Sequence, residues 1–92
     1  MCSGILEVTE VSGSGKGPQG WFPVTQANVS FDHPNYATIP EAVIIDFVNP
    51  AQGASARVAV EISAESARGL IKAILAALET GEAMNIAGAA AH

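Results

Sequence analysis

Two groups of residues in this chain have types suited to chemistry. The first is Cys2 with Asp32 and His33. Thiolate, imidazole and carboxylate together form a ligand set for a divalent transition metal such as zinc or iron. An imidazole beside a thiol also lowers the thiol pKa, the usual route to a thiolate nucleophile with a histidine base. If the first two strands form a hairpin, the start of one lies across from the end of the other, which brings positions 2 and 33 to the same end of a sheet. Tyr36, Glu41 and Glu61 are expected to gather there too. The spacing is not diagnostic: the chain contains no CxxC, HxH or HExxH, and a histidine before proline at a strand end is ordinarily a surface turn.

The second group is Lys16 with Trp21 and Phe22, inside the run SGSGKGPQGWF at 12–22. A phosphate loop needs its lysine followed by Ser or Thr and then by a helix. Here Gly17-Pro18 and a strand pattern follow, so that chemistry is not expected. The plain expectation is an Ω-like loop that uses glycine for backbone freedom. The functional one is a loop whose Lys16 and amides close over a small anionic ligand, with Trp21 and Phe22 as its apolar wall.

The elements that must position these groups follow from periodicity. Ala27, Val29 and Phe31 alternate with polar neighbours, as do Val58, Val60 and Ile62, the pattern of half-buried strands. Ala42 to Val48 is apolar on both faces apart from Asp46, which marks a central strand. Asp46 in such a strand needs a partner, and Arg57 on the neighbouring strand is the expected one. Ile5 to Val11, interrupted by Glu7 and Glu10, reads as an edge strand. Ser63 caps a helix whose stripe Ala67, Leu70, Ile71, Ile74, Leu75 and Leu78 recurs at i, i+3, i+4 and i+7, and Gly81 is expected to end it. The predicted fold class is α+β: a four-stranded antiparallel meander with one C-terminal helix packed on one face, ββββα. Residues 1–81 form the single domain and the Ala-rich tail at 82–92 is expected to be flexible.

Composition narrows the function. Only 14% of residues are charged, against about a quarter in typical soluble domains, and a chain of 92 residues buries only roughly 60 to 65% of its unfolded surface. Both points favour a homo-oligomer, formed through the open sheet face that carries Ile44 and Val48. Nine acids against four scattered bases leave no electrostatic footprint for nucleic acid. A single cysteine, no basic-then-apolar opening segment and no long apolar run argue for a cytoplasmic chain without a membrane span.

The run SGSGKGPQGWFPVTQANVSFDHP, the DFVNPA segment and ARVAVEISAESAR together resemble a family of short actinobacterial proteins known only as a domain of unknown function. The likeness extends from Met1-Cys2 to about Leu78. It implies an actinobacterial cytoplasm and brings no activity with it. In that family the stretch after the Asp32-His33-Pro34 step is often richer in histidine than here, where Asn35, Tyr36 and Ala42 stand, so the resemblance implies a metal site altered or absent in this chain. The expected function is a self-associating accessory or small-ligand-binding module. The competing expectation is a small metal- or thiol-dependent enzyme built on Cys2, Asp32 and His33.

Overall fold

The computed structural model describes residues 5–87. Four strands, β1 (Leu6–Gly17), β2 (Gly20–Asp32), β3 (Ala42–Val48) and β4 (Arg57–Ile62), precede one helix, α1 (Ala64–Ala87). The strands pair in chain order as an open antiparallel sheet, which is the expected ββββα meander.

Residues 12–22 form no Ω-like loop. They are the tip of the β1–β2 hairpin, where Lys16 is registered with Trp21 and Gly17 with Gly20 across a two-residue Pro18-Gln19 turn. Proline fixes the φ that a turn needs and Gly20 takes a φ of 109°, a value that side chains disfavour. Gly15 and Gly17 serve close approach rather than mobility. A Cβ on Gly17 would sit 3.2 Å from the Ser55 carbonyl and 3.3 Å from that of Arg57, and one on Gly15 would sit 3.1 Å from Val24. The tip therefore lies directly against the start of β4.

What bends the hairpin is a register shift between Glu10 and Gly13, one extra residue on β1. Opposite it, the buried positions of β2 change from Phe22 and Val24 to Ala27. A bulge of this kind bends and over-twists a strand pair. The result is a small core of Phe22, Val24 and Ala56, with Val11, Phe47 and Val58 packed around it.

One sheet face is a grid of apolar rows set by the register. Ala27, Phe47 and Val58 align across β2, β3 and β4, then Val29, Ile45 and Val60, then Phe31, Val43 and Ile62. The folded hairpin tip reaches the first row through Phe47 and Val58. The first two turns of α1 meet the third, where Ala64, Ala67 and Ile71 line a hollow with Phe31 and Val43. The middle row lies between these two covers, and Val60 within it is 36% exposed.

The helix is capped by Ser63, whose Oγ accepts the Ser66 N–H at 3.0 Å. It does not stop at Gly81: that residue keeps a helical φ and α1 runs on to Ala87, at a cost of about 1 kcal/mol relative to alanine. Its first turns meet the body around Phe31 of β2 and Val43 of β3. A helix of 24 residues is about 36 Å long, so most of it projects beyond the sheet. The Cα radius of gyration is accordingly 15.7 Å, where a compact chain of this length gives about 12 Å.

Candidate functional site

The stripe of α1 is the largest feature that sequence and structure together leave unsatisfied. Leu70, Ile71, Ile74, Leu75 and Leu78 are 44 to 57% exposed. At 100° per residue these five side chains span an arc of about 140°. Arg68 and Lys72 flank it on the Leu75 side. The body offers little to compensate, since no large side chain among the described residues is fully buried. Packing along one face was the expectation for this stripe, but the chain itself provides it only near Ala67 and Ile71.

A second concave feature lies between the hairpin tip and β4. A cleft of about 240 Å³ is lined by Val11, the β1 residues 13–16, Val24, Phe47 and Val58. Four consecutive residues of β1 line it, so its wall is strand backbone and its floor is aliphatic and aromatic. Lys16 belongs to this cleft, while Trp21 and Phe22 line a separate hollow with Gln19 and Gln52. Trp21 is 71% exposed and Phe22 is 8% exposed. Both aromatics border that hollow, and it is Lys16 that lies apart from them.

The polar residues near the other sheet end hold the 33–41 segment. The Glu61 carboxylate accepts backbone N–H groups from Asn35, and from Tyr36 and Ala37 at 3.0 Å each. These bonds, with those from Ala37 and Asn35 foremost, hold its pKa below the ordinary glutamate range. Glu61 thus acts as a clamp that draws the segment over Ile44, with Tyr36, Ala37, Arg57 and Ala59 around the same depression. Asp46 has the partner expected of it: Arg57 donates from Nε at 3.0 Å and from Nη2 at 2.8 Å to one carboxylate oxygen. The register places Asp46 opposite Ala59, so this is a diagonal cross-strand pair.

His33 stays close to its neighbour in sequence. Its backbone N–H donates to Asp32 Oδ1 at 2.7 Å, and its Nδ1 lies 3.4 Å from the same oxygen. Cys2, the third member of the expected thiol or metal site, lies outside the described residues. Among the described residues no three His, Cys, Asp or Glu side chains group to hold a metal ion. Tyr36 and Glu61 come together, as the hairpin argument expects, but through the tyrosine's backbone rather than its phenol.

Asn49 escaped the sequence reading. Among the described residues it is the one buried polar side chain, 6% exposed, just after β3. Its side chain accepts the Ala51 N–H at 3.2 Å, capping a 3₁₀ turn at Pro50–Gln52, and donates to the Pro23 carbonyl at 2.9 Å. Asn followed by proline is a turn-initiating pair and the available signal. Nothing in the local sequence marks its reach to β2.

Fold and surface together define a small α+β protein with an open sheet and an outlying amphipathic helix. The chain belongs to a family of unknown function, DUF6295, whose model matches residues 1–87. This agrees with the resemblance carried by the glycine-rich and Asp-His-Pro segments. No curated protein and no solved structure matches the chain. No helix among the described residues is long and apolar enough to cross a membrane.

Proposed function

We propose that this protein is a self-associating accessory module whose working form is a homo-oligomer joined through the stripe of α1. The observation that carries the reading is the half-exposed run Leu70, Ile71, Ile74, Leu75 and Leu78 on a helix that its own sheet does not cover. Fully burying a Leu or Ile is worth roughly 1.5–3 kcal/mol, so each of these residues leaves about 1 kcal/mol unrealised in the lone chain. A contiguous apolar surface of this kind on a soluble protein marks an interaction site. The stripe, rather than the face bearing Ile44 and Val48, carries the association, because the 33–41 segment is clamped by Glu61 over part of that face. Sedimentation equilibrium of the untagged chain tests this: a dimer or larger species at micromolar concentration is expected, and a monomer throughout overturns it.

A small-ligand role has support from one feature, the cleft of about 240 Å³ beside Lys16. It equals the liquid volume of about eight waters, enough for a short apolar chain with an anionic head. Titration with octanoate under amide-resolved NMR tests this role. Saturable shifts at Val11, Gly13, Gly15 and Val58 support it, and shifts confined to α1 refute it.

A further inference from the structure

Resting on the self-association reading, we infer that the helix stripe of one protomer covers the middle row of the sheet of a second copy, Val29, Ile45 and Val60, in a reciprocal exchange. An open sheet with an apolar face needs a layer over it, and the layer available in this chain is α1. The chain makes both surfaces and does not bring them together. The reason lies in the joint. β4 ends at Ile62 and α1 begins at Ala64, so one residue, Ser63, separates them. That residue is itself engaged as the cap, with its Oγ bound to the Ser66 N–H and its carbonyl to the Ala67 N–H at 2.9 Å. With so short a connection α1 leaves over the third row, at Phe31 and Val43, and runs off the sheet. The middle row of its own sheet is out of its reach, but that of a partner is not.

The width of the stripe points the same way. A two-helix seam needs only the a and d positions, here Ala67, Ile71, Ile74 and Leu78. Leu70 and Leu75 extend the stripe on both flanks, which gives the helix more than one neighbour. Around a two-fold axis, the two helices meet along a and d while the Leu75 flank lies over the partner's Ile45 and Val60. The charges agree with this arrangement. The middle row continues onto β1 at Glu7, registered with Val29, and the cation Lys72 lies on the Leu75 flank that approaches it, while Arg68 lines the hollow over its own Phe31 and Val43.

The test is disulfide trapping in the full chain with Cys2→Ser, using Val60→Cys and Leu75→Cys as separately tagged, co-expressed single-cysteine variants. A disulfide requires Cα atoms within about 7 Å, so a Val60–Leu75 crosslink between chains reports this contact alone. The expected result is heterodisulfide in clear excess over either homodisulfide. Leu75–Leu75 crosslinks without the heterodisulfide overturn the exchange and leave a helix-to-helix oligomer standing. An internal disulfide in a Val60→Cys/Leu75→Cys chain also overturns it, because the helix then covers its own sheet. A monomer by sedimentation overturns both this inference and the reading it rests on. Wild-type protein mixed from isotope-labelled and unlabelled chains gives an independent check: intermolecular methyl NOEs between Ile45 or Val60 and Leu75 are expected, and their absence in a proven dimer refutes the exchange.

Discussion

Replacing Leu75 with glutamate separates a lone chain from an assembled one. Leu75 is 55% exposed in the single chain, and leucine and glutamate have nearly equal helix propensity. In a monomer Leu75→Glu therefore costs well under 1 kcal/mol. In a symmetric dimer that buries the remaining half of the side chain, each copy loses about 1 kcal/mol of apolar transfer, or roughly 2 kcal/mol per dimer. That alone weakens association about 30-fold, and an unpaired carboxylate pressed into an apolar contact adds to it. The assay is sedimentation equilibrium over a range of concentrations, paired with thermal melts at two of them. For the wild type the melting temperature rises with concentration, because association stabilises the folded chain by mass action. For Leu75→Glu that dependence shrinks and the monomer dominates at concentrations where the wild type is assembled. Ala76→Gln, on the face opposite the stripe, leaves both readouts unchanged. A Leu75→Glu protein that sediments and melts like the wild type refutes burial of the stripe.

Three further substitutions probe the body. Asn49→Ala removes the donor to Pro23 and the acceptor for Ala51; a loss of about 1–3 kcal/mol is expected, read by urea denaturation as a lower midpoint with an unchanged slope. Gly17→Ala places a Cβ 3.2–3.3 Å from two backbone carbonyls; a cost of about 1–3 kcal/mol is expected, with the largest amide shifts at Ser55 to Arg57 by NMR, whereas Gly13→Ala, which meets nothing within 4 Å, costs less. Glu61 has a depressed folded pKa, so its contribution is present above the unfolded glutamate pKa and is lost as pH falls through the folded value. Denaturation at a series of pH values from neutral to acid is expected to show a stability loss that Glu61→Gln reduces, and an identical pH profile for the variant overturns the clamp.

The parts of the fold legible in the sequence are those set by local periodicity. The alternation at Ala27, Val29 and Phe31 and the doubly apolar Ala42–Val48 run give strand identity and order directly, because a strand with one buried face repeats every two residues. The Asp46–Arg57 pair was equally readable, since a carboxylate in a central strand demands a cation nearby. The hairpin tip was not. Gly13, Gly15 and Gly17 resemble a loop in composition, and the actual role of Gly15 and Gly17, letting β1 lie against Val58 and the Ser55 carbonyl, depends on residues far away in sequence. The sequence likewise did not show that Lys16 borders one hollow and the pair Trp21 and Phe22 another, because that separation depends on the strand register. Gly81 reads as a stop signal only where the backbone turns left-handed, and here it stays helical.

The helix shows how the same periodicity can be right about an element and silent about its neighbour. A stripe of this width states that a helix is to be buried and gives no address for the burial. The address is set by Ser63, a joint of one residue between Ile62 and Ala64 that directs α1 away from the sheet that needs it. A longer connection at that point would let α1 fold back over Val29, Ile45 and Val60 and close the core within one chain. By the same reasoning the length of this joint, more than the composition of the stripe, decides whether such a ββββα chain stands alone or is completed by a copy of itself.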